Sequence, residues 1–480
     1  MRDIRGKLTA LIALSVVAAS LVGPRVATAG PQKGSDGSGP RATAHRAGGR
    51  EVPSKDAPSP RLMRLGVDSS EPTLGVTQDG KVFTSAIQTN TRVEVLRSAD
   101  NGKTWETVSP RIAGRNAQLL SFDPYTYVDL PRSDQDLSRV FTIDLTIACS
   151  YLSYSDDAGD SWFTNPLVCG RPVNDHQTLF GGPPVTSPTI GYPNIIYYCW
   201  NDIATSSCQK SLDGGITFTA TGTPAFPGVD PQNGGTQLCG GLHGHGFVDD
   251  AGTVYIPRGY CGQPWLAISK DEGRTWERVQ VAKGGVTGHE ASVVADGKGN
   301  IFYTYVGKDR LPYLVVSKDG GKKWSKPMMV GAPGVNEANL PSIALGGKGK
   351  IAIAYMGTTN SPGEPFPEAT ECTAIGACPE PEEYKNTTWH GYMTISADAL
   401  DKEPTFYSAP INDPKDPLIR GTCGPGRCKA VYDFIDVVID RDGVAWSAFV
   451  DGCMLACITG PANMGSEGII GRFDGGPRLD

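Results

Sequence analysis

Long segments without glycine or proline are rare in this chain of 480 residues, which contains 60 glycines and 37 prolines. Few stretches exceed about ten residues without one of them, which argues against a fold built from long helices. The sequence also has no second apolar run after Leu8–Val22, and that run is shorter than the roughly 18 to 20 residues of a membrane-spanning helix. The net charge is −7 and no basic stripe occurs, so we expect neither a transmembrane segment nor a nucleic-acid partner.

The N-terminus has the pattern of an export signal. Basic residues at positions 2, 5 and 7 precede the apolar run, and Ala27-Thr28-Ala29 provides small residues at cleavage-site spacing. The pattern predicts a signal peptide over 1–29 and a secreted, extracellular protein. Residues 30–61 are rich in Gly, Ser, Pro, Ala and Arg and show no apolar periodicity, so they are interpreted as a flexible linker before a domain at 62–480.

All 12 cysteines follow the signal, and an even number in an exported chain indicates disulfide bonds. Cys149 and Cys169 are almost symmetric about a turn, and Cys199 and Cys208 flank another, so each pair would face across a hairpin. Sequential pairing is the simplest hypothesis for the others: Cys239–Cys261, Cys372–Cys378, Cys423–Cys428 and Cys453–Cys457. A zinc site is the rival interpretation, but the CxxC pairs typical of closed zinc sites are missing.

Internal repetition is the strongest pattern in the chain. Each of five segments begins about 50 to 60 residues after the previous one and reads Ser-x-Asp-x-Gly-x-(Thr/Ser/Lys)-aromatic. They are Ser98–Trp105, Ser155–Trp162, Ser211–Phe218, Ser269–Trp276 and Ser317–Trp324. Asp can accept backbone N–H groups within a tight turn, Gly supplies a positive φ, and the aromatic ring can pack between neighbouring sheets.

A second repeat precedes the first in each unit. Paired strand-like runs around a polar turn recur seven times, at 73–86, 127–145, 178–200, 245–257, 292–306, 342–356 and 436–450. Each unit has room for about four short strands, and a closed ring protects the sheet edges. The fold prediction is therefore all-β: a β-propeller of seven blades, each with about four antiparallel strands, with six blades as the alternative count. A monomer is expected.

The repeated segment resembles the Asp-box, or BNR, repeat of sialidases and related propellers, over about 71–476. In that family the box lies on the turn between the two outer strands of a blade, away from the ligand. The resemblance therefore implies that the box aspartates are structural: Asp100, Asp157, Asp213, Asp271 and Asp319.

Sialidases of this family bind the substrate carboxylate through three arginines, the first in an Arg-Ile-Pro motif at the start of the first propeller strand. They also use a Tyr/Glu pair as the nucleophile and an aspartate as the acid/base. Here the corresponding residues read Ser69-Ser70-Glu71-Pro72, so Ser70 stands where the arginine is expected. Loss of a bidentate arginine removes the best partner of a carboxylate. Exo-sialidase activity is therefore not expected.

Propellers usually bind ligands at the mouth of the central channel, where the inner strands begin. Four of the six histidines fall at such positions on three consecutive predicted blades: His176, His243, His245 and His289. Three interpretations remain open. The histidines and nearby carboxylates could perform acid–base chemistry on a sugar; His243 and His245 could bind a divalent metal; or the polar side chains could simply bond to each other and to water.

The functional hypothesis is a secreted propeller that acts on an extracellular glycan or cell-wall polysaccharide, as a glycoside hydrolase or a polysaccharide lyase. A non-catalytic propeller that binds glycan or protein is the alternative. No cofactor is expected beyond the optional metal. The predicted catalytic residues are His289, Glu290, His176, His243 and His245, and the predicted substrate-binding residues are Glu71, Tyr125, Asp175, Arg258, Tyr260 and Asp433.

Overall fold

Four-stranded antiparallel sheets repeat seven times in the computed structural model, and together they form a seven-bladed β-propeller. The structure describes residues 38–88, 92–110, 123–131, 138–145, 149–169, 174–202, 205–229, 239, 241–363, 380–423, 428–460 and 465–480. The predicted signal peptide and the Cys372–Cys378 pair lie outside these residues. No helix in the described ranges is long and apolar enough to cross a membrane.

The first five blades each use four consecutive strands, listed from the channel outwards. Blade 1 contains Leu74–Val76, Val82–Gln88, Arg92–Ser98 and Glu106–Thr107. Blade 2 contains Pro124–Asp129, Arg139–Leu145, Cys149–Ser155 and Phe163–Cys169. Blade 3 contains Asn174–Gly182, Ile195–Asp202, Thr205–Ser211 and Thr219–Ala220. Blade 4 contains Phe247–Val248, Val254–Tyr260, Gln263–Ser269 and Glu277–Gln280. Blade 5 contains Val286–Ala295, Ile301–Gly307, Pro312–Ser317 and Met328–Met329.

The last two blades take outer strands from the N-terminal part of the chain. Blade 6 contains Glu337–Leu345, Ile351–Thr358, Thr388–Ser396 and Phe406–Pro410, extended by Thr43–His45, and Ile419–Arg420 pairs with its third strand. Blade 7 contains Asp436–Ile439, Ala445–Asp451, Glu467–Asp474 and Ser59–Asp68. Short 3₁₀ turns at Glu382–Tyr384, Lys429–Val431 and Leu455–Ile458 lie in the connections.

The described part of the segment expected to be a flexible linker, 38–61, is ordered against the propeller, so that expectation is wrong there. Thr43–His45 pairs with the outer strand of blade 6, and His45 is fully buried with its Nε2 2.7 Å from Ser408 Oγ. The segment has few large apolar side chains. It is held instead by backbone hydrogen bonds to an exposed strand edge, which need no apolar periodicity.

The core lies between neighbouring blades. The second strand of blade 5, Ile301–Gly307, is buried along its whole length because sheets cover both of its faces. This explains its almost continuous apolar and aromatic sequence. The middle strands of the other blades pack in the same way, and the resulting apolar layers run around the ring.

The five repeated turns share one hydrogen-bond pattern. In blade 3, Ser211 Oγ donates to Asp213 at 2.6 Å and accepts the N–H of Gly215 at 2.7 Å, while the Thr217 N–H donates to the same carboxylate at 2.8 Å. Burial acts to raise the pKa of Asp213, but these bonds favour the ionised form and together lower it. Equivalent bonds occur in the other four turns, so the box aspartates have a structural role.

Disulfide bonds join Cys199–Cys208, Cys239–Cys261, Cys423–Cys428 and Cys453–Cys457, which confirms four of the six predicted pairs. Cys149 and Cys169 are Cα partners across the outer strands of blade 2, as the hairpin argument requires. Their side chains lie outside the described set.

Candidate functional site

The inner strands begin at one end of the channel, and hydrogen bonds join neighbouring blades there. Thr73 of blade 1 accepts the N–H of Thr126 of blade 2 at 2.6 Å. Ser292 accepts the N–H of Ile343 at 3.2 Å, and Asp436 of blade 7 accepts the N–H of Leu74 at 3.0 Å. Because each bond links one blade to the next, the starts of the inner strands are held in fixed positions. We call this end of the channel the mouth.

A bulge places His176 at the mouth. The pairing of the first two strands of blade 3 shifts between Asp175 and Thr178, and His176 lies in this shift with a φ of 50°. A positive φ is unfavourable for a residue with a Cβ, so contacts around His176 must maintain it. Glu71, just before the inner strand of blade 1, and Leu340, at the register shift between Asn339 and Ser342 in the inner strand of blade 6, have φ values of 48° and 53°. Strained backbone of this kind concentrates at sites where side chains must point in a particular direction.

Aromatic rings from four blades meet around Phe434, which is fully buried. The ring centroids of His176 and His245 lie 5.1 Å and 5.4 Å from that of Phe434, and the centroid of Tyr125 lies 6.2 Å from it. The His243 ring lies edge-on to His176, with centroids 5.9 Å apart. The predicted histidines of blades 3 and 4 therefore converge, and Phe434 occupies the space between them.

Carboxylates surround the rings. Asp123 Oδ2 accepts the backbone N–H of His176 at 3.2 Å, and Glu71 Oε1 accepts the N–H of Asp433 at 3.3 Å. Across the channel, His245 Nδ1 lies 3.6 Å from Asp436 Oδ1. Glu71, Asp123 and Asp433 are each less than one-tenth exposed, whereas Asp175 and His245 are half-buried. Solvent therefore reaches the cluster at Asp175 and His245.

Burial, together with the neighbouring charges of Asp175 and Asp433, raises the pKa of Asp123, and the net value is about 7. The hydrogen bond to Glu71 and the nearby His176 oppose this effect. Burial, followed by the neighbouring His176, lowers the pKa of His243 well below its usual value, so this imidazole is neutral. The cluster thus contains a carboxyl group that exchanges its proton near neutral pH beside other carboxylates.

Arg258 and Tyr260 lie on the second strand of blade 4 and already have partners. The buried guanidinium of Arg258 donates to the Gly241 carbonyl at 2.9 and 2.6 Å and to Ser206 Oγ at 3.2 Å. The Tyr260 hydroxyl donates to the carbonyls of Pro227 and Val229. Both side chains hold the loop that leads into blade 4.

His289 and Glu290 are in the first strand of blade 5, Val286–Ala295, but their side chains lie outside the described set. Asp123, Phe434 and Asp436 also belong to the mouth, but they are not among the site residues predicted from the sequence. The sequence could have indicated them through their closeness in the chain to the predicted residues Tyr125 and Asp433. In the described part of the chain, no group of three or more His, Cys, Asp or Glu side chains is arranged to hold a metal ion.

A second polar network on the same end was not predicted. The buried Glu337 accepts hydrogen bonds from Ser361 and from the Tyr384 hydroxyl, the latter at 3.2 Å, and Arg310 Nη1 lies 3.4 Å from it. Burial raises the pKa of Glu337, although the hydrogen bonds and the charge of Arg310 act to lower it. Tyr384 belongs to the segment between the second and third strands of blade 6, so the network fixes the end of that segment to the propeller.

No protein-family model and no curated protein matches this chain. Among solved structures, an α-L-arabinofuranosidase of Fusarium graminearum is similar at 14% identity and a TM-score of 0.41, covering 77% of this chain and 97% of its own. An α-L-arabinanase of Penicillium chrysogenum is similar at 12% identity and a TM-score of 0.39, covering 78% of this chain and 98% of its own. The NanB sialidase of Streptococcus pneumoniae is similar at 12% identity and a TM-score of 0.39, covering 85% of this chain and 70% of its own. Such values are too low for any activity to be transferred.

Proposed function

We propose that the mouth cluster is an acid–base site for an extracellular glycan, of the glycoside hydrolase or polysaccharide lyase type. The supporting observation is Asp123, a buried carboxyl group with a pKa of about 7 beside the carboxylates of Asp175 and Asp433. Carboxyl groups in different environments are the usual means of cleaving a glycosidic bond near neutral pH.

The roles follow from protonation and access. Asp123 carries a proton at pH values below about 7 and can donate it to a leaving oxygen. Asp175 is the more exposed carboxylate and would act as base or nucleophile. His245, also half-buried, would be a second proton acceptor in the lyase variant. His176 positions Asp123 through its backbone N–H.

The test is turnover of a polysaccharide panel by Asp123→Asn. The asparagine oxygen can still accept the N–H of His176, so the fold should be kept while the proton donor is lost. We expect turnover to fall by about 10² to 10⁴-fold. The control is Asp442→Asn, which removes a carboxylate that is 71% exposed and leaves the mouth unchanged. Equal turnover by wild type and Asp123→Asn would refute the assignment.

The roles of His289 and Glu290 on blade 5 stay predictions, and His289→Ala tests them in the same assay. Secretion also stays a prediction. It rests on the sequence of residues 1–29 and agrees with the disulfide bonds. A mature protein in the medium that begins at Gly30 would support it.

A second candidate function is non-catalytic binding of a glycan. The full burial of Phe434 favours it, because this ring occupies the space between Tyr125, His176 and His245. Saturable binding without product over the whole panel would support this candidate and exclude the catalytic one.

A further inference from the structure

The ring of Phe434 closes the mouth in this structure. Phe434 is fully buried, and the neighbouring His176 and Asp123 are only 1% and 9% exposed. A general acid must come within hydrogen-bond distance of the oxygen that it protonates, so a sugar does not reach Asp123 while these groups are covered. Part of the covering structure must therefore move before the proposed chemistry can begin.

Phe434 belongs to an irregular stretch of backbone, residues 428–434, which we call the mouth segment. Lys429 and Tyr432 in this segment have φ values of 45° and 63°. Positive φ is unfavourable for residues with a Cβ, so contacts from outside must hold the segment in this shape. At its start, Lys429 Nζ lies 3.1 Å from Glu380 Oε1. A segment of this kind changes shape when its other contacts are lost.

Glu71 of blade 1 holds the mouth segment at two points. Its backbone N–H donates to the Val431 carbonyl at 3.0 Å, and its carboxylate accepts the N–H of Asp433 at 3.3 Å. Glu71 is 3% exposed, so bulk water does not compete for these bonds. Because Asp433 directly precedes Phe434, the Glu71 carboxylate fixes the backbone beside the ring that closes the mouth.

The same carboxylate is hydrogen-bonded to the carboxyl group of Asp123. Two carboxyl groups form such a bond only when one of them carries a proton, because ionised carboxylates have no donor. Asp175, His176 and Asp433 also face Asp123, as does the hydroxyl of Tyr198. Loss of the shared proton leaves two negative charges in contact where solvation is poor, and their repulsion separates the two carboxylates.

We propose that the proton shared by Glu71 and Asp123 is a latch: while it is bound, Phe434 closes the mouth, and when it is lost, the mouth segment moves and the site opens. As a regulation of the same site, the inference rests on the proposed glycan function. A sugar would enter while the pair is ionised, and Asp123 would take up its proton once the sugar is bound. Turnover should therefore be greatest near the pH at which the pair titrates.

The test measures hydrogen exchange of the mouth segment by mass spectrometry, on the full chain without a ligand. Exchange rates at pH 6 and pH 8 are corrected for the chemical rate of an unprotected amide. We expect the protection of peptides that cover 428–436 to fall by about 10-fold or more from pH 6 to pH 8 in the wild type. Equal protection at the two pH values would overturn the inference.

Glu71→Gln separates the shared proton from the histidines. The rings of His176 and His245 lie against Phe434 and still titrate in this variant. The glutamine oxygen can accept the N–H of Asp433, and its NH₂ group can donate to ionised Asp123, so the mouth should stay closed at both pH values. A fall in protection as large as in the wild type would assign the opening to the histidines and contradict the latch.

Two further variants complete the design. Asp123→Asn closes the pair from the other side, because its NH₂ group can donate to Glu71, and it should also remove the fall in protection. Asp442→Asn alters a carboxylate that is 71% exposed and should behave as the wild type. Loss of the fall in Asp442→Asn would mean that the pH effect does not come from the mouth, and would overturn the inference.

Turnover separates the latch from the proposed function. Protection that falls with pH, without turnover of any polysaccharide in the panel, would refute catalysis and support the latch. Turnover by a wild type whose mouth segment is equally protected at both pH values would support the catalytic site and refute the latch.

Discussion

The ionisation of Asp123 provides a quantitative test of the mouth cluster. The carboxyl group is buried beside Asp175 and Asp433, and its pKa is raised to about 7, whereas the unfolded chain has the ordinary value of 3.8. Between these two values the folded protein holds a proton that the unfolded chain has released. The free energy of unfolding therefore falls as the pH rises towards 7.

The size of the effect follows from the two pKa values. Proton linkage with values of about 7 and 3.8 gives a contribution of about 3 kcal/mol at pH 5 that is almost absent at pH 8. Asp123→Asn removes this titration and retains the acceptor for the His176 N–H. The difference in the free energy of unfolding between variant and wild type should thus shift by about 3 kcal/mol from pH 5 to pH 8, in favour of the variant at high pH.

The assay is urea denaturation of both proteins at pH 5, 6, 7 and 8 at constant ionic strength. Groups that titrate equally in both proteins cancel in the difference. Asp442→Asn provides the baseline, because its carboxylate is exposed. A difference between wild type and Asp123→Asn that does not change with pH would refute the raised pKa, and with it the acid role of Asp123.

Three other predictions test groups outside the mouth. Glu272 accepts three backbone N–H groups and pairs with Lys210 at 2.7 Å, so Glu272→Gln should lower the free energy of unfolding by about 3 kcal/mol at pH 7. Because the pKa of Glu272 is lowered, this loss should begin to shrink as the pH falls below the unfolded value of about 4.5 and should vanish only towards the lower pKa of the folded state, as measured by urea denaturation. Burial lowers the pKa of His390 to about 4, so between pH 7 and pH 5 the unfolded chain binds a proton at this residue and the folded protein does not. The free energy of unfolding of the wild type should therefore fall by about 2 kcal/mol over this range because of His390, and His390→Phe should abolish this fall. A loss of the same size in the variant would contradict that pKa. Ser211→Ala removes three hydrogen bonds of a repeated turn, to Asp213 and Gly215, and should cost about 1 to 2 kcal/mol; an unchanged melting temperature would refute the structural role of this serine.

The sequence predicted the blades because their turn chemistry is local. A serine, an aspartate and a glycine within a few residues define each repeated turn, and the turn fixes where the strands beside it begin and end. Even the incomplete repeat of blade 6 keeps the bond from Ser396 to Asp398, at 2.9 Å. The convergence of His176, His243 and His245 followed from the same register.

Other features depend on contacts between distant residues. The packing of Thr43–His45 on blade 6 uses backbone groups, so its composition carried no signal. The positive φ of His176 is held by its surroundings, and residue type gave no indication of it. Arg258 was expected to bind substrate because of its position near the predicted mouth; in the structure its guanidinium is buried against the Gly241 carbonyl. Sequence position alone could not show which partner it would take.

The outer strand of blade 7 has a consequence for the order of folding. Ser59 pairs with Asp474, so the ring closes through a contact between residues more than 400 positions apart in the chain. Blades 1 to 5 use only consecutive strands and can assemble as the chain emerges. Blade 7 must wait for Glu467–Asp474, and until then Ser59–Asp68 has no partner strand. Closure is therefore a late step, and the early strand is exposed to wrong pairing or proteolysis for most of the synthesis.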